Sequence, residues 1–344
     1  MMFFRAGLGG AVIFGMVVAV AGSDLAEKSS AVLCREFVFD EASFPQCHAS
    51  TIAETRDGQL VIAWFGGTRE KHEDVGIWVS SQLGGKWSLP MEVANGIQSP
   101  ESRFPCWNPV LFQARRGPLQ LFFKVGPSPQ TWWGEVLVSQ DNGESWTDRK
   151  KLSGGNIGPV KNKPIELLDG TILSGSSTEH RGWRVHFERS IDGGKTWQPT
   201  VAINDGKKIG AIQPSILQHA DGSLQALGRS RQKKIWESWS SDGGLTWSEI
   251  KLTSLPNPNS GTDAITLKDG RHLLVYNHTT SGRSPLNVAI SEDGKQWASA
   301  LDLEVDPGEY SYPAVIQMTE GLVHVTYTWR RQKIRHVVID PMKL

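Results

Sequence analysis

Residues 190–197 read SIDGGKTW, and close copies recur at a nearly constant interval: SQDNGESW at 139–146, SSDGGLTW at 240–247, SEDGKQW at 291–297 and a worn version, SSQLGGKW, at 80–87. Asp-Gly and Asn-Gly pairs favour tight hairpins, because glycine accepts positive φ and the Asp side chain bonds the turn backbone, while the closing Trp offers a large packing surface. Each copy therefore predicts a β-hairpin with a Trp peg. A second repeat interleaves with the first: an apolar run, a turn glycine and another apolar run, as in HASTIAETRDGQLVIAW from His48 and IQPSILQHADGSLQAL from Ile212. Six turn glycines keep this register, Gly58, Gly117, Gly170, Gly222, Gly270 and Gly321, at roughly fifty-residue steps, the period of propeller blades of about four strands. The expected fold is all-β, a six-bladed β-propeller of four-stranded antiparallel blades.

Composition agrees with that reading. The 344 residues include 36 glycines and 14 tryptophans, which suits short strands and tight turns better than helices. Basic and acidic residues balance at 36 each, so there is no bulk field to attract nucleic acid, which is not an expected partner. At the N-terminus Arg5 precedes an apolar run over residues 11–20 that reaches Ala19-Val20-Ala21, a small-residue pattern like a cleavage site. The expected organisation is a signal peptide at 1–21 and one propeller domain at 22–344, giving a secreted or periplasmic protein with no stable membrane insertion after cleavage. The alternative, an uncleaved anchor, meets an apolar core shorter than the ~20 residues a span needs. In an oxidising compartment Cys47 and Cys106, at matching offsets before Gly58 and Gly117, either pair or remain two buried thiols.

Glu36 to Asp40, EFVFD, predicts an isolated strand, and the last blade shows three: residues 312–317, 322–328 and 335–339. The first strand is expected to complete the last blade and so close the ring, removing an exposed edge. The xDG turns and the Asp-Gly-Trp hairpins then share one face of the disc. The other face collects the starts of the inner strands and the loops joining strands two and three. Around the axis those positions are His48, Asn108, Asn162 with Lys161 and Lys163, Gln213, Asp263 and Tyr312, all polar. The loops add Arg69 and Asp74, Lys124, residues 179–184, Arg229 and Arg231, residues 277–283 with Asn277 and Arg283, and Arg330 with Arg331. Grouped guanidiniums on a protein of neutral net charge make a locally cationic pocket that prefers an anionic ligand, and arginine offers a carboxylate bidentate contacts.

These motifs resemble those of the sialidase superfamily, whose members carry Asp-box repeats on a six-bladed propeller, and the similarity runs over the whole mature chain. The resemblance implies a pocket in which three arginines hold a sugar carboxylate, an Asp acts as acid/base and a Tyr activated by a Glu is the nucleophile. Gly66-Gly67-Thr68-Arg69 resembles the arginine segment ahead of the acid/base, and Asp74 falls where that Asp is expected. Arg229 and Arg283 match two carboxylate-binding arginines, and Tyr312, nine residues before Gly321, matches the nucleophile. Two positions depart. His48, in Cys-His-Ala-Ser, stands where the family has Arg-Ile-Pro, and Gln213 stands where it has the activating Glu, so Asp263 or Glu309 would have to take the phenol's proton. The segments PCWNPVLF, KNKPIELLDG, GAIQPS, LPNPNSGTDA, VYNHT, GRSPLNVAIS and EYSYPAVIQ are similar to an exo-sialidase-like Asp-box subfamily.

The sequence thus predicts an exported glycoside hydrolase that removes a terminal acidic, sialic-acid-like sugar from a glycan. Asp74, Tyr312, His48 and Asp263 are the candidate catalytic residues; Arg69, Asn108, Lys124, Lys163, Gln213, Arg229, Asn277 and Arg283 are the candidate substrate ligands. In the expected reaction Asp74 needs a raised pKa to protonate the leaving oxygen. Two alternatives remain open: a hydrolase or lyase for uronic-acid or rhamnose polysaccharide with His48 as base or acid, and a glycan-binding propeller without turnover. No cofactor or metal is expected, since the nine histidines show no paired ligand spacing and no phosphate-cradling glycine loop is present.

Overall fold

The structure, a computed structural model, describes residues 1–2 and 31–344. The expected signal peptide lies, but for its first two residues, outside the described residues. Six four-stranded antiparallel sheets follow one another around an axis. The first blade runs Gln46–Glu54, Leu60–Gly67, Gly76–Leu83, with Lys86–Trp87 and Met91–Ala94 sharing its outer edge, and the fourth runs Ala211–Gln218, Leu224–Ser230, Lys234–Ser240, Lys251–Pro256. The xDG turns fall where predicted, with all six register glycines at positive φ, from 82° at Gly58 to 104° at Gly321.

The ring closes as expected. Val32–Phe37 pairs with Lys333–Ile339 at the outer edge of the last blade, beyond Val323–Trp329 and Tyr310–Gln317. This strand lies a few residues earlier than EFVFD suggested, because Phe39 leaves the sheet to stack on Trp64 of the first blade, ring centroids 5.1 Å apart. Glu36 on that strand binds both Trp87 Nε1 (2.8 Å) and His336 Nδ1 (2.9 Å), tying the first blade, the last blade and the N-terminal strand together. An unforeseen small hairpin, Ile97–Ser99 with Ser102–Arg103, links the first two blades. Cys34, Cys47 and Cys106 are free thiols, the last two buried, so the pairing alternative is not realised.

The Asp-box hairpins are blade-to-blade fasteners. Asp192 accepts hydrogen bonds from Ser190 Oγ (2.8 Å), Lys195 N (3.1 Å), Thr196 N (2.9 Å) and Thr196 Oγ1 (2.7 Å), and Asp141 and Asp242 sit in equivalent nets. The turn so shaped lies on the second strand of the preceding blade. A Cβ at Gly244 (φ 80°) would stand 2.5 Å from Leu173 Cδ2, and one at Gly143 (φ 96°) 2.9 Å from Val61 Cγ2, so only glycine permits the approach. The pegs dock the same way. Trp247 stacks on Phe187 of the third blade at 3.9 Å, Trp197 packs edge-on against Phe122 of the second at 5.8 Å, and Trp87 of the worn copy packs against His336 of the last at 5.2 Å. A buried Trp removes roughly 150–250 Å² from water at about 25 cal/mol per Å², against about 1 kcal/mol for a typical net hydrogen bond, so the pegs dominate the seams and the Asp nets aim them.

Their donor-rich surroundings hold the Asp141, Asp192 and Asp242 carboxyls at about 2, below the 3.8 of a free Asp, chiefly through the Ser or Thr hydroxyl at the end of each box. A depressed folded pKa means stability that is fully present above about pH 4 and lost as pH falls toward 2. Asp192→Ala is expected to lower the melting temperature at pH 7 by a few degrees, and the gap to the parent should close on titration from pH 4 to pH 2, followed by circular dichroism. A gap that does not change with pH would contradict the assignment.

Candidate functional site

The pocket is made by a backbone irregularity repeated around the axis. Nine residues before each register glycine stand Ala49, Asn108, Lys161, Gln213, Gly261 and Tyr312, and five of them are non-glycine residues at positive φ: 58°, 38°, 95°, 58° and 53°. The ladders of the first, second, fourth and last blades skip register at this point, so each is a β-bulge that turns one side chain toward the axis. Pro109, Pro214 and Pro313 follow three of them, and proline, having no N–H, leaves no unpaired donor where the ladder is broken. Such backbone costs of order 1–3 kcal/mol per residue and persists only where the surroundings impose it.

Tyr312 lies at the centre. Its ring centroid is 4.2 Å from that of His48, the Arg229 guanidinium lies over its face at 5.4 Å and the Lys161 ammonium at 5.9 Å. Its hydroxyl is bonded to Gln213 Nε2 at 3.5 Å, and among the described residues no carboxylate is hydrogen-bonded to it. The two substitutes the sequence offered for the missing Glu are occupied. Asp263, buried, accepts from Lys163 Nζ (2.9 Å), Ser215 Oγ (2.8 Å), Ala264 N (2.9 Å) and Val315 N (2.9 Å), and Glu309 holds Arg331 Nε at 2.6 Å. Asp263 and Lys163 thus form an ion pair that braces the shaft beneath the pocket.

Arg229 and Arg283 reach the same spot from two blades and are held by neutral oxygens of one loop, Arg229 by Asn259 O (3.2 Å) and Arg283 by Ser260 Oγ (2.6 Å). Trp183 lies beneath Arg229, 5.0 Å from its guanidinium. The third arginine is Arg331, which the sequence placed in the last blade's loop without a role. Glu70 and Glu309 each hold it at 2.6 Å. Arg69, the sequence's choice, is exposed and lines the rim beside His48 and Arg331.

Burial, then the charges of Arg331, Arg283, Arg229 and Lys161, push the His48 imidazole well below its ordinary value. His48 is therefore neutral at physiological pH and has no proton to give as an acid; its Nδ1 is engaged by Thr328 Oγ1 at 2.9 Å. Burial pulls the Lys161 amine down to about 7, yet its N–H groups end on Asn162 Oδ1 (2.7 Å), Thr262 O (2.8 Å) and Pro313 O, an arrangement only the ammonium completes. Lys161 so pins the Tyr312 bulge to two other blades.

Three of the expected site residues are held in networks of their own. Asp74 accepts from Thr68 N (3.0 Å) and Thr68 Oγ1 (2.6 Å) and pairs with His72 Nδ1 (2.8 Å); these bonds outweigh its partial burial and lower its pKa, opposite to the shift expected of an acid. Lys124 has no exposed surface: it is buried between the second and third blades with its Nζ on Pro159 O at 2.8 Å. Asn277 is also fully buried, donating to the carbonyls of Arg283 (3.0 Å), Pro285 (2.8 Å) and Tyr310 (3.0 Å), and serves to position the Arg283 loop. Asn108 is buried at its bulge. Besides Arg331, a second residue that sequence reading left without a role is Glu179, in the third blade's loop. Its half-buried carboxylate accepts from Trp183 Nε1 at 2.9 Å, and burial raises its pKa against the pull of Arg229 and the Trp183 bond.

The fold and the family match define a propeller of the sialidase-like superfamily. Residues 58–325 match the BNR repeat-like domain family, and the chain belongs to it. An anhydrosialidase of the leech Macrobdella decora is 25% identical over 237 residues, 58% of this chain and 30% of that protein, so the chain spans under a third of this relative. A Dyadobacter fermentans protein of unknown function superposes with a TM-score of 0.75 at 18% identity, covering 90% of this chain and 98% of that one. A leech intramolecular trans-sialidase bound to 2,7-anhydro-Neu5Ac does so at 0.74 and 13% identity, covering 95% and 73%. A sialidase of Streptococcus pneumoniae gives 0.72 at 13% identity, covering 90% and 71%. At such identities the superpositions speak to the fold alone.

Arg283→Ala is expected to weaken binding of a carboxylate sugar tenfold or more while leaving the melting temperature within a degree or two, measured by calorimetric titration and thermal unfolding. Lys124→Met, by contrast, should leave that binding unchanged and keep or raise stability, because one hydrogen bond does not offset burial of an ammonium.

Proposed function

We propose that the protein is an exported exo-glycosidase that releases a terminal acidic sugar, sialic-acid-like in its carboxylate, from a glycan. One observation carries the reading: Arg229, Arg283 and Arg331 converge on the adjoining His48 and Tyr312, and two of the three guanidiniums are hydrogen-bonded to neutral oxygens, leaving cationic charge for a ligand carboxylate. The superfamily and the leader-like N-terminus support hydrolysis and export.

Proton transfer is assigned to Glu179 in place of Asp74. A carboxyl with a raised pKa keeps its proton closer to neutrality, which a donor to a leaving oxygen requires, whereas Asp74 stays ionised within its own loop. As the bond from the anomeric carbon to the glycosidic oxygen breaks, Glu179 transfers its proton to that oxygen. Water then adds to the anomeric carbon and returns a proton to the carboxylate. With Gln213 beside it and no carboxylate to take its proton, Tyr312 stabilises the oxocarbenium-like centre with its hydroxyl oxygen.

The test uses an aryl glycoside of sialic acid. Glu179→Gln is expected to lower kcat by 10² or more and to abolish the alkaline limb of the kcat profile, which reports loss of the donor's proton, while Asp74→Asn should lower kcat less than tenfold. The reverse ranking would return the acid role to Asp74. An unsaturated product absorbing in the ultraviolet would instead indicate lyase chemistry, and binding without release a lectin.

A further inference from the structure

A cleft beside the central pocket encloses about 320 Å³ between the second and third blades, at the small end of the roughly 300–1,000 Å³ typical of ligand sites. Two strand-connecting loops on the site-bearing face wall it: residues 126–132, ending at Trp132, and residues 178–183. Gln130, Trp132, Trp133, Lys151, Thr178 and His180 line it. The two indoles are half-buried, and Lys151 is drawn over Trp133, its Nζ 4.5 Å from a ring centroid. The lining holds no arginine and no carboxylate.

Both walls lead back to the central pocket. Thr178 and His180 line the cleft, whereas Glu179 between them bonds Trp183, the indole on which Arg229 rests. On the other side Trp132 packs against Trp107 (5.9 Å), Trp107 against Phe65 (6.4 Å) and Phe65 against His48 (5.5 Å). The carboxyl assigned as proton donor therefore stands in the partition between a strongly cationic pocket and an aromatic cleft. A glycosidic oxygen is also a partition, joining a terminal acid sugar to the next unit.

We propose that this cleft is the subsite for the leaving group, holding the uncharged sugar to which the acid sugar is linked, with Trp132 as its stacking surface and Gln130 and His180 as hydroxyl partners. The proposal rests on the exo-glycosidase reading for its orientation. The apolar face of a pyranose matches a partly exposed indole, amide and imidazole groups satisfy hydroxyls without demanding charge, and the single ammonium is already engaged with an indole face.

The test compares two substrates that share the acid sugar: sialyl-lactose, which fills the cleft with a neutral disaccharide, and an aryl sialoside, whose leaving group is a flat ring without hydroxyls. Trp132→Ala and, as a variant away from the packed indoles, Gln130→Ala/His180→Ala are expected to lower the ratio of kcat/KM for sialyl-lactose over the aryl sialoside at least tenfold, mainly through KM. An unchanged ratio in both variants overturns the proposal. Titration of the full-length parent protein with lactose alone separates the two readings. If the parent cleaves neither substrate, the exo-glycosidase reading fails, but millimolar lactose binding that both variants lose still supports a neutral-sugar subsite, and absence of lactose binding to the parent overturns it.

Discussion

The molecule depends on a close approach of backbone to side chain repeated from blade to blade. An Asp-box turn has a glycine at its tip, the glycine lies on the second strand of the preceding blade, and the Trp that follows enters the seam beside it. At Gly244 and Gly143 there is no room for a methyl group. The distance between blades is thereby set by contact, and hence the diameter of the ring and the spacing of side chains around its axis. The last blade has no Asp-box; its third strand is instead covered by Val32–Phe37, whose Glu36 holds Trp87 and His336 in one net. A propeller with one loose seam would let the six inner strands drift apart, and the pocket with them.

What the ring brings together is mostly positive. Arg229, Arg283, Arg331 and Lys161 surround Tyr312 and His48, and the carboxylates nearby are distributed unevenly among them. Glu70 and Glu309 fix Arg331, and Asp263 is spent on Lys163 and on backbone amides below the pocket. None is left for the phenol. The consequence is a cationic pocket whose tyrosine has no hydrogen-bonded carboxylate among the described residues, while at the periphery Glu179 is half-buried against Trp183, which raises its pKa. Burial, with the same cationic crowd, keeps His48 neutral, so its place against Tyr312 is one of packing and hydrogen bonding more than of acid chemistry. The strain at the five positive-φ positions is sustained by this arrangement: Lys161 bonds the carbonyl beside the Tyr312 bulge, and Asn162 donates to Gln213 O at 3.0 Å beside another.

The sequence by itself determined the blade count, the face on which each loop lies, the closure by the N-terminal strand and the convergence of His48, Gln213, Arg229, Arg283 and Tyr312. It did so because turn chemistry is local: an Asp-Gly pair with a Trp three or four residues on carries its own geometry, and five such copies, one of them worn, interleaved with six turn glycines leave little freedom for the rest. Only the tertiary structure decided which charged groups are free. Lys124, Asp74 and Asp263 have the residue types of a site, yet one is sealed between blades, one is bound by its own loop and one is neutralised by Lys163; Arg331 entered the site through Glu70 of the first blade, and Glu179 through Trp183, the indole under Arg229 of the fourth. Burial and ion pairing depend on neighbours some twenty to three hundred residues away, as with Glu70 and Arg331, and no local pattern records them. Chemistry at this site is a property of those distant pairings, whereas the fold that permits them is written in each repeat.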